Sequence, residues 1–308
     1  MIRNFLLHRV NPQRDKLWDP MSVELFDKCI RYISRKYEVI PFEELAFSDT
    51  YKNNHKKKIA TIMFDDGYKD NIDFAAPILR KYNVKASFYV VTECIDKNIP
   101  PWTQILEHLF QFTSVENIEM NFNFLPQALK TSNLNNQGER LNYVSKLKPF
   151  LKTLSHENRQ SVLNRVIETY NDIDFPKLMM DWDDLRKLKE EGHYIGSHTV
   201  THCMLGTMNK ENDIISELTL SGKRIQEQLG YFPLTISYPV GSFNKTTKEL
   251  SQKVGYKIGL AVKQNVHNPQ KDDLFEVSRI ELYNEPWWKT LLRITNTLEN
   301  FKSFIRYR

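Results

Sequence analysis

The sequence predicts an α/β protein whose parallel sheet closes, or nearly closes, into a barrel. Short apolar runs alternate with amphipathic helical segments along most of the 308 residues, which is typical of repeated strand–helix units. Hydrophobic residues make up 41% of the chain and charged residues 26%, so there is enough apolar material for a globular core. We therefore expect residues 1–308 to form a single barrel domain.

The first third of the chain supplies the first strands of this pattern. Apolar runs predict strands at Phe5–Leu7, Val39–Ile40, Ile59–Phe64 and Ala86–Val91. Between them, Ser22 is a candidate N-cap for a helix with apolar residues at a spacing of three to four, and a second helix is predicted over Ile72–Tyr82. A short turn is expected at Phe42–Leu45.

Strand signals disappear between about Ile99 and Met180. Helices are predicted there instead, joined by polar, Asn-rich linkers, at Trp102–Phe112, Glu139–Leu151 and His156–Tyr170. Because these helices are few and their connections long, we interpret 99–180 as a helical insertion into the barrel, not as a second domain. Such an insertion could cover the mouth of the barrel.

The strand–helix alternation then resumes. Strands are predicted at Tyr194–Gly196, Leu234–Tyr238, Ile258–Val262 and Val277–Leu282. Helices are predicted at Trp182–Glu191, Asn209–Leu229, which Gly230 ends, and Thr246–Val254.

The C-terminal tail, 286–308, is predicted to be an amphipathic helix. Its apolar stripe consists of Leu291, Ile294, Leu298, Phe301 and Ile305. The simpler interpretation is a helix packed on the barrel. The alternative is peripheral contact with a membrane, which Trp287, Trp288 and the basic residues of this tail favour.

Charge and cysteine content narrow the partners and the compartment. The net charge is +5, and no nucleic-acid recognition motif accompanies it, so we expect no nucleic-acid partner. The three cysteines are scattered, which is typical of a reducing compartment. Because neither a leader-like segment nor a membrane-spanning apolar stretch is present in the sequence, we expect a cytoplasmic protein, associated with a membrane only if the tail binds one.

Two adjacent carboxylates, Asp65 and Asp66, follow the apolar strand Ile59–Phe64. In an α/β barrel the catalytic face lies at the carboxyl ends of the strands. Two carboxylates there are costly to desolvate unless a cation or hydrogen bonds compensate. The alternative is an ordinary Asp-Asp-Gly turn.

A pair of histidines, His198 and His202, follows the short strand Tyr194–Gly196. Their spacing of four predicts both imidazoles on one side of a helical turn, although such pairs also arise by chance. Together with the two carboxylates they supply two imidazoles and one carboxylate for a metal ion and leave a second carboxylate to act as a base. By ligand type Zn²⁺ is expected first, with Co²⁺, Ni²⁺ or Mn²⁺ as alternatives.

Three ordered motifs resemble those of the NodB-like polysaccharide deacetylases: TIMFDDGYKDN (Thr61–Asn71), GSHTVTH (Gly196–His202) and SYPVGSFN (Ser237–Asn244). The resemblance implies a distorted (β/α) barrel with about seven strands. It also implies a metal-dependent enzyme that removes N-acetyl or other N-acyl groups from an amino sugar. The expected substrate is a cell-envelope or surface polysaccharide, or its lipid-linked precursor.

The same resemblance implies roles for individual residues. Asp65 would be the general base, and Asp66, His198 and His202 would bind the metal. The oxyanion would be held by the metal and by a backbone N–H in the stretch that contains Tyr238, Val240 and Gly241.

The sequence departs from the family pattern in the groups around this centre. Ser237 stands where the third motif usually begins with Arg, and the acidic partner of that Arg is missing as well. Arg279 could supply the missing cation, or it could form a surface salt bridge. The late general-acid histidine motif is not clear. His267 is a candidate, but it is expected in a loop. His8, at the end of the first strand, is the better candidate, although it could instead be an ordinary hydrogen-bonded histidine at a strand end.

Two other functions and two tryptophans complete the expectations. A non-catalytic glycan-binding relative is the main alternative, since the third motif lacks its Arg. A metal-free glycosidase is disfavoured, because adjacent Asp65 and Asp66 cannot flank a sugar from two strands.

Trp102 and Trp182 could line a sugar cleft, or they could belong to the core.

Overall fold

We describe a computed structural model of the chain, which covers residues 1–47, 58–170, 173–175 and 177–297. Its strands are β1 (Ile2–Leu7), β2 (Tyr37–Val39), β3 (Lys58–Asp66), β4 (Ser87–Val90), β5 (Asn117–Glu119), β6 (Thr131–Asn133), β7 (Tyr194–Ser197), β8 (Thr235–Ser237), β9 (Ile258–Leu260) and β10 (Ile280–Glu281). Its α-helices are α1 (Val23–Lys36), α2 (Phe42–Phe47), α3 (Ala76–Lys81), α4 (Thr92–Lys97), α5 (Trp102–Phe112), α6 (Gln127–Lys130), α7 (Gln137–Leu151), α8 (His156–Thr169), α9 (Trp182–Glu190), α10 (Glu211–Leu229), α11 (Lys245–Val254) and α12 (Trp287–Ile294).

The main sheet is parallel and curls into a distorted barrel. Seven strands follow the order β10-β1-β3-β4-β7-β8-β9, and β2 pairs with the start of β3. Between β9 and β10 the ladder is replaced by single contacts, a bridge between Leu260 and Val277 and a hydrogen bond from Arg279 N–H to Lys263 O (3.1 Å). The expected distorted barrel of about seven strands is therefore confirmed, and its carboxyl ends all face one side.

Capping residues mark where the helices α1 and α9 begin and where α10 ends. The Ser22 hydroxyl accepts a hydrogen bond from Leu25 N–H at the start of α1. Asp181 and Asp184 form a reciprocal capping box at α9, and Gly230 closes α10 with a φ of 83°.

Three predicted elements are corrected. The expected turn at Phe42–Leu45 is the helix α2, which the buried Glu43 anchors by accepting hydrogen bonds from the hydroxyls of Ser87 (2.6 Å) and Tyr89 (2.7 Å). The predicted helix Ile72–Tyr82 is a π-helical turn, Asn71–Ala75, followed by α3. Pro77 has no N–H to donate to the Asp73 carbonyl, so one hydrogen bond of a regular α-helix is missing there, which favours an interruption. The predicted strand Val277–Leu282 shortens to β10.

The segment 99–180 contains α5, α6, α7 and α8 around an apolar cluster of its own. The expectation that it lacks strands is wrong, because β5 and β6 form an antiparallel pair. Each of these strands has only three residues, most of them polar, so neither produces a periodic apolar signal. Met204, from the loop after β7, joins the cluster and fixes the insertion to the barrel.

The tail begins as the short helix α12, which packs against α1. Lys28 lies over the Trp287 ring, and Ile294 is buried. Trp288 is 64% exposed. The rest of the predicted stripe, Leu298, Phe301 and Ile305, lies outside the described residues. Within the described ranges, the helices are all too short or too polar to cross a membrane.

Candidate active site

The site lies where the parallel strands end. Asp65 and Asp66 are the last two residues of β3, His198 directly follows β7, and Ser237 ends β8. Because parallel strands of one curled sheet carry these residues to the same edge, side chains far apart in the sequence come together.

Asp66, His198 and His202 form a compact, buried group. Asp66 Oδ1 lies 3.3 Å from His198 Nε2 and 3.2 Å from His202 Nε2. One ligand atom from each residue lies within 4.8 Å of the other two, which is the arrangement of a three-ligand metal site with open positions.

The hydrogen bonds around this group fit a divalent cation. His198 Nδ1 lies 2.8 Å from the Ser237 carbonyl oxygen, which fixes the proton on Nδ1 and leaves the Nε2 lone pair facing Asp66. Asp66 Oδ1 is buried, and within the described residues it accepts no hydrogen bond. A buried carboxylate oxygen without a donor is costly unless a cation takes the donor's place. Burial raises the pKa of Asp66, but the hydrogen bonds that His198 and His202 donate when they are protonated outweigh burial and lower that pKa well below its usual value.

The loop that carries the histidines is not the helical turn that their spacing predicted. Thr199 and His202 have φ values of 68° and 58°, in the left-handed region. Glu217 of α10 holds this conformation, because its carboxylate accepts the backbone N–H groups of Val200 (2.9 Å) and Thr201 (3.0 Å). Trp102 Nε1–H donates to His202 O (3.2 Å) from the insertion. The histidines therefore converge through a braced, strained loop.

Asp65 is held by a fully buried arginine and a hydroxyl. Arg279 Nη1 donates to Asp65 Oδ1 (2.8 Å), and Ser237 Oγ donates to Asp65 Oδ2 (3.0 Å). Arg279 Nη2 also donates to Ser237 Oγ (2.9 Å), and its Nε donates to Ala261 O (3.0 Å). Burial raises the pKa of Asp65, but Arg279 and then His198 outweigh burial and lower it overall. A surface salt bridge for Arg279 is excluded, since its side chain is 0% exposed.

His8 lies at the edge of the same site. Its Nδ1 is 3.5 Å from Glu281 Oε1, and Asn71 Nδ2 donates to the His8 carbonyl (2.8 Å). The Trp18 ring meets the His8 imidazole edge to face at 5.1 Å. The other candidate, His267, is buried beside Ile2, at the opposite end of β1, and cannot reach the strand ends.

Of the three residues expected to contain an oxyanion donor, two have backbone N–H groups that already donate hydrogen bonds. Tyr238 N–H donates to Leu260 O (3.1 Å), and Gly241 N–H donates to Tyr238 O (2.9 Å). Val240 lies between them in a tight turn with a φ of 57° and lines the cavity. Its N–H has no acceptor among the described residues. Such a φ is rare for a β-branched residue, so the fold holds this amide in a strained orientation.

A cavity of about 280 Å³ is lined by six of the predicted site residues: His8, Asp65, Asp66, His198, His202 and Val240. The sequence did not point to six of its lining residues: Trp18, Thr103, Lys148, Lys152, Val262 and Glu281. They come from loops, from the insertion and from the last strand, where no motif marks them. Trp102 instead lines a neighbouring cavity, and Trp182 donates from its indole to Asp96 (2.7 Å), so neither tryptophan lines this one.

The fold and the site together define an α/β barrel with an Asp-His-His centre suited to a divalent metal, beside a second carboxylate. The family model for polysaccharide deacetylases matches residues 52–259 of this chain, and the chain belongs to that family.

Curated relatives agree with this family. YxkH of Bacillus subtilis (strain 168), classed as a polysaccharide deacetylase, is 20% identical over 224 residues, which is 73% of this chain and 52% of YxkH. The peptidoglycan-N-acetylglucosamine deacetylase PgdA of Listeria monocytogenes is 33% identical over 69 residues, 22% of this chain and 14% of PgdA. The match thus spans about half of YxkH and a much smaller part of PgdA.

Solved structures share the fold over nearly the whole chain. The deacetylase PplD of Streptococcus pyogenes, solved in complex with acetate, aligns with a TM-score of 0.63 at 17% identity, covering 95% of this chain and 97% of PplD. A de-N-acetylase of Aggregatibacter actinomycetemcomitans aligns with a TM-score of 0.62 at 18% identity, covering 95% and 99% of the two chains.

Proposed function

We propose that this chain is a metal-dependent hydrolase that removes N-acetyl, or other N-acyl, groups from an amino sugar. Its substrate would be a cell-envelope or surface polysaccharide, or the lipid-linked precursor of one. The observation that carries the proposal is the position of Asp65 beside the Asp66–His198–His202 group, inside one cavity. Membership of the polysaccharide deacetylase family supports the reaction class.

Asp66, His198 and His202 would hold the ion. Two imidazoles and one carboxylate suit Zn²⁺ first, and Co²⁺, Ni²⁺ or Mn²⁺ are alternatives. When bound, the ion would polarise the acyl carbonyl and lower the pKa of a water molecule towards about 7.

The chain's own groups would carry out the proton transfers. Asp65, ionised and oriented by Arg279 and Ser237, would take a proton from the attacking water. The Val240 N–H would donate to the oxyanion that develops on the acyl oxygen. His8, whose Nδ1 lies 3.5 Å from Glu281 Oε1, would protonate the leaving amine. The half-buried Trp18 offers an aromatic face to a pyranose ring.

The alternative of a non-catalytic glycan-binding protein loses its main support. That support was the serine at 237, where the motif resemblance led us to expect an arginine. Arg279, which directly precedes β10, places its guanidinium on Asp65, so the cation beside the carboxylate is present.

Two aspartate variants separate metal binding from chemistry. We expect Asp65→Asn to bind one equivalent of Zn²⁺ and to release acetate from N-acetylglucosamine oligomers at least 100-fold more slowly. Asp66→Asn should lose both metal and activity. Asp73→Asn, at an exposed position next to the first motif, is the matched control. Acetate release by Asp65→Asn at the wild-type rate would refute the proposed base, and metal-loaded wild type that releases no acetate would refute the function.

A further inference from the structure

Two lysines of the insertion face the cavity and have no part in the proposed chemistry. Lys148 lies in the last turn of α7, and Lys152 ends that helix. Both line the cavity that holds Asp65 and Asp66. The insertion thus adds two ammonium groups to the lining of a cavity whose other lining residues include the carboxylates of the barrel.

The two lysines differ in their partners. Lys148 forms an ion pair with Glu107 of α5, whose side chain is 1% exposed. Lys152 is half-buried, and in the described parts of the chain no carboxylate or other acceptor binds its ammonium group. Burial, and then the neighbouring Lys148, lower the pKa of Lys152 more than the surrounding carboxylates of Glu107, Glu281 and Asp66 raise it, as expected of a partly desolvated cation without a direct ion pair.

With His8 neutral, the charges around the cavity do not balance once the centre is loaded, and a proton on His8 would add to the positive side. Four carboxylates line it or pair with a lining group: Asp65, Asp66, Glu107 and Glu281. Three cations do the same: Arg279, Lys148 and Lys152. A divalent ion on Asp66 would therefore leave one positive charge without a counter-charge, and Lys152 is the group without a partner.

We propose that Lys152 binds one negatively charged group of the substrate, a carboxylate or a phosphodiester carried next to the N-acylated sugar. The enzyme would then prefer an anionic glycan to a neutral one. A single free ammonium inside a low-dielectric cavity discriminates by charge, since a neutral glycan would leave the cation unpaired. This inference rests on the proposed deacetylation and names its substrate class.

Matched substrates and matched lysine variants test the proposal. Acetate release by the metal-loaded full chain is compared on three compounds: a neutral N-acetylglucosamine trisaccharide, N-acetylglucosamine linked to glucuronic acid, and the methyl phosphodiester of N-acetylglucosamine 1-phosphate. The last two distinguish a carboxylate from a phosphodiester. The variants are Lys152→Met, the charge-conserving Lys152→Arg, and Lys146→Met, which removes an exposed lysine of the same helix.

We expect kcat/KM of the wild type to be about tenfold higher for at least one anionic substrate than for the neutral one. Lys152→Met should abolish this preference through KM while changing the neutral rate less than twofold. Lys152→Arg and Lys146→Met should keep the preference. Equal rates on charged and neutral substrates in the wild type would overturn the proposal. So would a Lys152→Met variant that slows all substrates by one factor, because that result indicates a role in the transition state.

A binding measurement separates this inference from the proposed function. If no substrate releases acetate, deacetylation fails, and calorimetric titration with the two anionic compounds then tests Lys152 alone. Tighter binding of one of them to wild type than to Lys152→Met supports the anion site without the reaction. Equal binding, or none, overturns it.

Discussion

The side chains at the centre of the site differ in whether they could be predicted from the sequence. Asp65, Asp66 and His198 could be predicted because each directly follows a recognisable apolar strand, and strand ends share one face. Lys152 and Trp18 could not be predicted, because a helix end and an irregular loop carry them into the cavity without any periodic signal. Local sequence therefore indicates the candidate metal ligands better than it indicates the residues around them.

His8 is expected to matter for amides and much less for activated esters. An amine leaves only after it gains a proton, whereas a phenolate leaves without one. His8→Ala should slow acetate release from N-acetylglucosamine oligomers by about 10²-fold or more, while hydrolysis of an aryl acetate should change less than about fivefold. His108→Ala, at a half-buried histidine outside the cavity, serves as control. An equal loss on both substrates would argue against His8 as the general acid.

Arg279 is expected to be a major determinant of stability as well as a support for Asp65. Its side chain is 0% exposed and pairs with the Asp65 carboxylate, which is 2% exposed, so its removal leaves a buried charge without its ion pair. Arg279→Met should lower the free energy of unfolding by about 3–5 kcal/mol, measured by urea denaturation at pH 7. The exposed Arg165→Met should stay within about 0.5 kcal/mol of wild type. If the two variants were equally stable, the paired arrangement would be wrong.

Helices and strands were predicted wherever they are long and periodic. Helix α5 has the predicted bounds, and α10 ends at its glycine as expected. The missed elements depend on tertiary contacts: α2 is anchored by hydroxyls from β4, and the histidine loop is braced by Glu217 of α10. No property of those short segments alone indicates such partners.

A histidine at the start of the paired strands β4 and β7 is expected to make the stability of the fold depend on pH. The buried His193, just before β7, accepts a hydrogen bond on Nδ1 from Ala86 N–H (3.0 Å). Burial, assisted by Lys85, lowers the pKa of His193 to about 4. The unfolded chain therefore takes up this proton near pH 6.5, before the folded chain does, and stability falls as the pH drops from 6.5 to 4. The gap corresponds to up to about 3 kcal/mol.

Comparison with His193→Gln isolates this contribution from other titrating groups. The difference in free energy of unfolding between wild type and variant should shrink by about 2–3 kcal/mol between pH 7 and pH 4.5. Only the wild type has an imidazole at this position that takes up a proton on unfolding, and glutamine does not titrate. Denaturant unfolding at a series of pH values measures it. A difference that does not vary with pH would contradict the assignment.

Across the protein as a whole, we propose that the barrel and the insertion have different roles. The barrel, recognisable from the order of its motifs, brings the candidate metal ligands and Asp65 to one edge. The insertion packs around its own apolar cluster, braces His202 through Trp102, and places Lys148 and Lys152 over the cavity. We therefore expect the barrel to determine the reaction and the insertion to determine which glycan is accepted.

The most direct test of this account is a titration of chelator-treated protein with Zn²⁺ while acetate release from an N-acetylglucosamine oligomer is followed. The account predicts no activity in the chelated protein and a linear recovery that reaches a plateau at one ion per chain. The Asp66→Asn variant should show no recovery. Full activity in the chelated protein, or a recovery that does not require Asp66, would contradict the central claim that Asp66, His198 and His202 form a catalytic metal site.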